Sequence, residues 1–199
     1  MTARERYGSD RIIAFSDAVV AIAITVLLLP LAEVKIPAGG DLVELIGQNS
    51  ALLWGLTLSW VIIAIFWLAH HRLFDHIAYF DASTVRVNCL WSCVMALMPL
   101  PTSILIETDP ATQTVGFYIG WMLLTSALLM LIQVHARRTP GMMDPAYLRT
   151  LEATEARLRA LLITGVFVVC LVVAFIAPNA ALWFLLLQVP VDWIASRLA

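Results

Sequence analysis

Six apolar stretches of membrane-spanning length, separated by short polar connections, leave this chain few ways to fold. They run from Ile12 to Leu31, Leu52 to Ala69, Val87 to Ile106, Val115 to Val134, Ala160 to Ala177 and Ala181 to Arg197. A hydrocarbon core about 30 Å thick is crossed by about 20 helical residues. Inside it every backbone amide must be bonded within its own segment, so the stretches read as α-helices. Pro190 and Asp192 interrupt the last one, part of which also suits the membrane interface. Composition agrees: 61% of the 199 residues are hydrophobic and 13% charged, against about 45–50% and about 25% in soluble domains. The expected fold is an all-α membrane protein, one six-helix domain over residues 1–199 with no separate soluble domain.

Charge sets the orientation. Of the 12 Lys and Arg residues, all but Lys35 lie toward one side: Arg4, Arg6 and Arg11 at the start, Arg72 and Arg86 in the second connection, Arg137, Arg138, Arg149, Arg157 and Arg159 in the fourth, and Arg197 at the end. Connections rich in Lys and Arg stay in the cytoplasm. Both termini are therefore expected there, which requires an even number of crossings and favours six. Glu33, Asp41, Glu44, Glu107 and Asp109 fall in the outward-facing first and third connections. The net charge of −2 carries little information, because the asymmetry across the membrane matters and the sum does not.

Several classes are excluded. The first stretch is too long for a cleavable signal peptide, carries an embedded carboxylate and is followed by no small-residue cleavage site. Cys89, Cys93 and Cys170 all sit within spans, an odd number of embedded thiols that argues for apolar packing and against a disulfide framework. No CxxC, HExxH, P-loop, GxGxxG or GxSxG pattern occurs. An enzyme is not expected, nor a resident metal or cofactor, nor a nucleic-acid partner. The connection from His135 to Arg159 reads as a loop followed by a cytoplasmic extension of the fifth helix.

The polar residues of the first span carry the functional question. Ser16 and Asp17 lie within it, and a charge at the centre of a spanning helix costs about 2.5–3.5 kcal/mol or more unless it faces protein or water. Successive helical residues advance by about 100°, so Ile22, Thr25, Val26 and Leu29 share one stripe, which Ala18 extends inward. Ser16 and Asp17 lie about 120° to 140° from Ile22 and turn toward neighbouring helices when the stripe faces an axis. Trp67 and His71 late in the second helix and Asn88 early in the third are the candidate partners for Asp17, since an intramembrane carboxylate needs donors. His70 and His71 are about 100° apart; His71 is assigned to the network and His70 to an interfacial position. Thr25 either offers a ring of acceptor oxygens or bonds back to the carbonyl of residue 21. Pro30 removes a backbone donor near the outer end of the helix and is expected to kink it.

The run RIIAFSDAVVAIAITVLLL resembles the first-helix signature of the transmembrane protein 175 family, potassium channels of bacteria and of endolysosomes marked by an R-x-x-x-F-S-D motif. Arg11, Phe15, Ser16 and Asp17 match it position by position, and FWLAHHRLF (Phe66 to Phe74) and RVNCLW (Arg86 to Trp91) resemble the second-helix and third-helix patterns. With one six-helix unit and no detectable internal repeat, the chain is similar to the bacterial single-repeat members. The resemblance implies a homotetramer in the plasma membrane of a bacterium, with four first helices lining a potassium-selective pore and potassium as the permeant ion. No TVGYG-like filter loop is present, in keeping with this. The resemblance also implies a constriction at Ile22, further apolar layers at Val26 and Leu29, a hydroxyl position at Thr25, and a network of Arg11, Phe15, Ser16, Asp17, Trp67, His71 and Asn88 that orients the first helix. Arg11 either pairs with Asp17 or lines the inner vestibule. The rival reading is a proton-coupled or cation secondary transporter using Asp17 and His71; it is disfavoured because such carriers show internal repeats and helices broken at mid-membrane. A membrane enzyme is disfavoured too, because no paired catalytic groups converge within the spans.

Overall fold

With no proline before position 30 and only alanine, valine and isoleucine from Ala18 to Ile24, the first stretch forms one helix, α1 (Ala3–Leu27), in a computed structural model that describes residues 3–35, 41–108 and 111–188. Pro30 has no N–H to give the carbonyl four residues back, so the backbone tightens ahead of it. Leu28 N bonds Thr25 O at 3.2 Å, Leu31 N bonds Leu28 O at 3.1 Å, and the chain resumes as α2 (Leu29–Ala32). A short helix, α3 (Leu42–Gln48), opens on Asp41, whose carboxylate accepts from Val43 N at 3.1 Å. The remaining helices are α4 (Ser50–Phe74), α5 (Ala82–Ala96), α6 (Pro99–Glu107), α7 (Thr112–Arg138), α8 (Leu151–Ala174) and α9 (Pro178–Phe184). Pro99 and Pro101 divide α5 from α6 as Pro30 divides α1 from α2, giving a second bent span.

Among the described residues, five helical stretches are long and apolar enough to cross a membrane: Asp10–Ala32, Ser50–Phe74, Ala82–Glu107, Thr112–Arg138 and Ala153–Ala174. They correspond to the first five expected spans. Of the sixth, Ala181 to Arg197, the structure describes the end of α9 and a 3-10 turn at Leu185–Gln188; residues 189–199, with Pro190 and Asp192, lie outside the described residues.

The long helix α7 packs against α4, α5, α6, α8 and α9, and the core forms around it. Trp91, Tyr118, Phe66 and Phe167 are fully buried there, and the rings of Phe66 and Phe167 stack at 5.6 Å. In lipid, helices associate through close packing and interhelical hydrogen bonds, because lipid tails are as apolar as leucine. Gly55 supplies the close approach: a Cβ there would lie 2.5 Å from Ile106 Cγ1, so only glycine lets α4 meet α6 at this distance. Three buried hydroxyls supply the bonds. Thr102 Oγ1 donates to Ser59 Oγ at 2.9 Å, and Ser59 Oγ lies 2.8 Å from the Tyr118 hydroxyl, which ties α6, α4 and α7 together. Ser126 and Thr164, 2.8 Å apart, do the same for α7 and α8.

The arginine-rich end is closed by its loops. Gly141 takes φ +77°, a turn that side chains rarely permit, and the chain then pairs with the α4–α5 connection: Ala78 N donates to Met142 O at 2.8 Å, and the rings of His76 and Tyr147 stack at 3.8 Å. Asp81 works on two elements at once. One carboxylate oxygen caps α5 by accepting from Thr84 N at 2.7 Å, and the other lies 2.9 Å from His135 Nε2 near the end of α7. The Thr84 N–H above all, with His135 adding to it, holds this carboxyl down at about 2. A carboxylate depressed in this way favours folding above its ordinary value of 3.8, and the benefit is lost as pH falls through about 2. Asp81→Ala should therefore lower stability by about 0.5–2 kcal/mol at neutral pH, the usual range for a lost helix cap. In melting curves of the detergent-solubilised protein, the gap from wild type should close as the pH falls through that interval; a gap that persists in acid would contradict the assignment.

Candidate functional site

The first helix carries two opposed faces. Ser16, Val20, Ala23 and Leu27, spaced by four, three and four residues, are buried against α4, α5 and α6. Within this face Asn88 Nδ2 donates to Ser16 Oγ at 2.8 Å, and Ser16 Oγ donates to the carbonyl of Ile12 at 3.1 Å. His70 Nε2 stands 2.9 Å from Asn88 Oδ1. With the Asn88 amide nitrogen committed to Ser16, its oxygen accepts, so His70 carries its proton on Nε2. Hydrogen bonds thus run in one direction from α4 through α5 into α1. The His70 ring is fully buried and stacks between Phe74 at 3.9 Å and Trp91 at 4.3 Å, which leaves it little freedom to turn. Beside this chain Asp17 Oδ1 accepts from Trp67 Nε1 at 2.9 Å, a second tie between α1 and α4.

The other face has no cover among the described residues. Arg11, Phe15, Ala18, Ile22, Thr25 and Val26 are exposed, with Leu29 continuing the line into α2. By helical phase these positions all fall within about 60° of Ile22. Ile22, midway along the span Asp10–Ala32, is 61% exposed, and Leu29, near its end, is 58% exposed. The break at Leu28 and Pro30 bends the chain just past Val26, so Leu29 stands beyond the kink.

Three expected placements change. The histidine in the hydrogen-bonded chain is His70; His71 lies against the Trp67 ring at 5.6 Å and turns toward Asp75, 3.7 Å away at the end of α4. The reason is the packing register of α4, in which Ile63, Phe66, His70 and Leu73 form the buried stripe and His70 occupies a core position. That spacing was the available signal. Phe15 belongs with the uncovered stripe and is 55% exposed, because it precedes Ile22 by seven residues, nearly two full turns. Thr25 Oγ1 bonds back to the carbonyl of Ile22 at 2.8 Å, one residue later than the alternative partner at 21. Arg11 falls on the uncovered side, in phase with Ile22. No group of three or more His, Cys, Asp or Glu side chains among the described residues could hold a metal ion.

The sequence profile of the family described as endosomal/lysosomal potassium channel TMEM175 matches residues 11–99, which contain most of α1 and the hydrogen-bonded residues Ser16, Asp17, Trp67, His70 and Asn88 that hold it like a latch. A potassium channel of Streptomyces collinus is 32% identical over 141 residues, 69% of this chain and 68% of that protein. A potassium channel of Chamaesiphon minutus is 39% identical over 111 residues, 53% of each chain. The crystal structure of a lysosomal potassium-selective channel TMEM175 homolog from Chamaesiphon minutus superposes with a TM-score of 0.72 at 25% identity, covering 95% of this chain and 98% of that one.

Trp67→Phe keeps an aromatic side chain but loses the indole N–H donated to Asp17, together with part of the ring, and the cycle below cancels the loss of ring. A charged acceptor that loses its donor costs about 1–3 kcal/mol. A double-mutant cycle of Trp67→Phe with Asp17→Leu, read by thermal melting, should give a coupling of at least about 0.5 kcal/mol. Additive effects would mean that this bond does not hold α1.

Proposed function

This chain belongs to the TMEM175 family, and from that premise we propose that it is a potassium channel whose pore is lined by α1. The observation that carries the reading is the uncovered register from Arg11 to Leu29 on a spanning helix whose opposite face is held by hydrogen bonds. One such stripe cannot enclose a water path, so the remaining walls come from other copies related by cyclic symmetry. The assembly is a homotetramer of six-span subunits with both termini in the cytoplasm, in the plasma membrane of a bacterium. Potassium is the permeant ion, and neither a cofactor nor enzymatic chemistry is involved.

Ile22 forms the constriction, with Val26 and Leu29 as wider apolar layers. A narrow apolar ring expels water and leaves an ion without ligands, and a modest widening restores conduction. The Thr25 hydroxyl gives its proton to the Ile22 carbonyl, so its oxygen is the acceptor presented to a cation. Phe15 and Arg11 lie below the constriction on the same face, at the inner vestibule. Ser16, Asp17, Trp67, Asn88 and His70 hold the rotation of α1 that aims Ile22 at the axis.

The carrier reading requires protons to pass between Asp17 and His71. Asp17 accepts from the Trp67 indole, which is a donor only, and His71 turns toward Asp75. The geometry supports the channel.

Reconstituted into liposomes, the protein should carry current that reverses near the potassium equilibrium potential under potassium/sodium bi-ionic conditions. Ile22→Asn should raise that current severalfold by wetting the ring. Saturable exchange of fixed stoichiometry would favour a carrier, and an unchanged Ile22→Asn current would remove the gate from position 22.

A further inference from the structure

A cavity of about 300 Å³ opens between the arginine-rich ends of α4, α7 and α8, on the side of α4 away from α1. Arg72, Arg137 and Arg159 line it, one from each helix, and Glu155 is the one acid among the described lining residues, whose formal charge sums to +2 with His76 counted neutral. Its apolar lining comes from the same three helices. Phe66 precedes Arg72 on α4, Leu129 precedes Arg137 on α7, and Ile163 follows Arg159 on α8. At about 1.5 Å of rise per residue, each helix places its apolar residue about 6–12 Å deeper in the membrane than its arginine. The gradient from charge to hydrocarbon therefore has the same direction on three independent walls.

We propose that this cavity binds the phosphate headgroup of an anionic lipid from the cytoplasmic leaflet, with an acyl chain running past Phe66, Leu129 and Ile163. Guanidinium forks match phosphate oxygens in pairs, and basic pockets between spanning helices on the cytoplasmic side suit anionic headgroups. Arg137 gives one N–H to the carbonyl of Ala153 at 3.1 Å and has further donors on the same fork. A free phosphate compound would use the same arginines, but nothing in it would fill the apolar depth. Phe66, Leu73 and His76 face the cavity while Trp67 and His70 hold α1, so an occupant braces the helix that carries the latch.

The inference rests on the orientation proposed above, with the arginines cytoplasmic, and not on the permeant ion. Native mass spectrometry of the wild-type protein equilibrated with equal phosphatidylglycerol and phosphatidylcholine should show retained phosphatidylglycerol. Arg72→Gln and Arg137→Gln should each lower retention about fivefold, and Arg137→Lys less than Arg137→Gln. Equal retention of the two lipids by the wild type needs no variant to fold and would overturn the proposal, as would retention unchanged by both glutamine variants. Displacement of the lipid by an equal concentration of inorganic phosphate would assign the arginines to a soluble phosphate and overturn the lipid. Retention is read without ion flux, so a failed lipid site and a failed channel reading give different results.

Discussion

A hydroxyl and a carboxylate carried into the membrane on α1 must find hydrogen-bond partners on other helices, and that requirement fixes how the helix is rotated. Ser16 meets Asn88, Asn88 meets His70, and Asp17 meets Trp67, each at 2.8–2.9 Å. Water is not at hand to substitute for a lost partner in the hydrocarbon, so rotating α1 by one residue would strand several polar groups at once. Packing alone specifies far less, because an apolar helix surface meets lipid and protein with nearly equal ease.

Once that rotation is set, the opposite stripe is determined by helical phase. Ile22 and Val26 cannot turn inward without pulling Ser16 and Asp17 out of the network. The polar latch and the apolar stripe are therefore two results of one constraint. A helix uniformly covered by its own chain would have no face left to line a pore, and a helix without the latch would have no preferred face to offer. The bend at Leu28 and Pro30 then turns the stripe aside beyond Val26.

The first five spans were legible because long apolar runs have one solution in a bilayer, and the bend before α2 was legible because proline removes a named donor. Trp67 could be matched to Asp17 from sequence because an embedded carboxylate needs a donor, whereas Asn88, expected beside Asp17, instead meets Ser16 and His70. The choice between His70 and His71 could not be made the same way. Adjacent residues differ by about 100°, and it is the stripe Ile63, Phe66, His70 and Leu73, spaced as one helical face, that shows which one is buried. Phe15 misled for a related reason: a motif groups residues by adjacency, whereas a helix separates them around its axis. The Asp81–His135 contact and the Ser59–Thr102–Tyr118 cluster join residues far apart in sequence and leave no local pattern.

The most direct measure of the account is the accessibility of α1, face by face. In a background with Cys89, Cys93 and Cys170 changed to serine, single cysteine substitutions along α1 and at Leu29 of α2 can be challenged with a charged thiol reagent during potassium current recording. Block at positions 22, 25, 26 and 29, with none at 20, 23 and 27, is the predicted pattern. Equal reaction on both faces, or block confined to positions 20, 23 and 27, would contradict the claim that the hydrogen-bonded latch aims the Ile22 stripe at the pore.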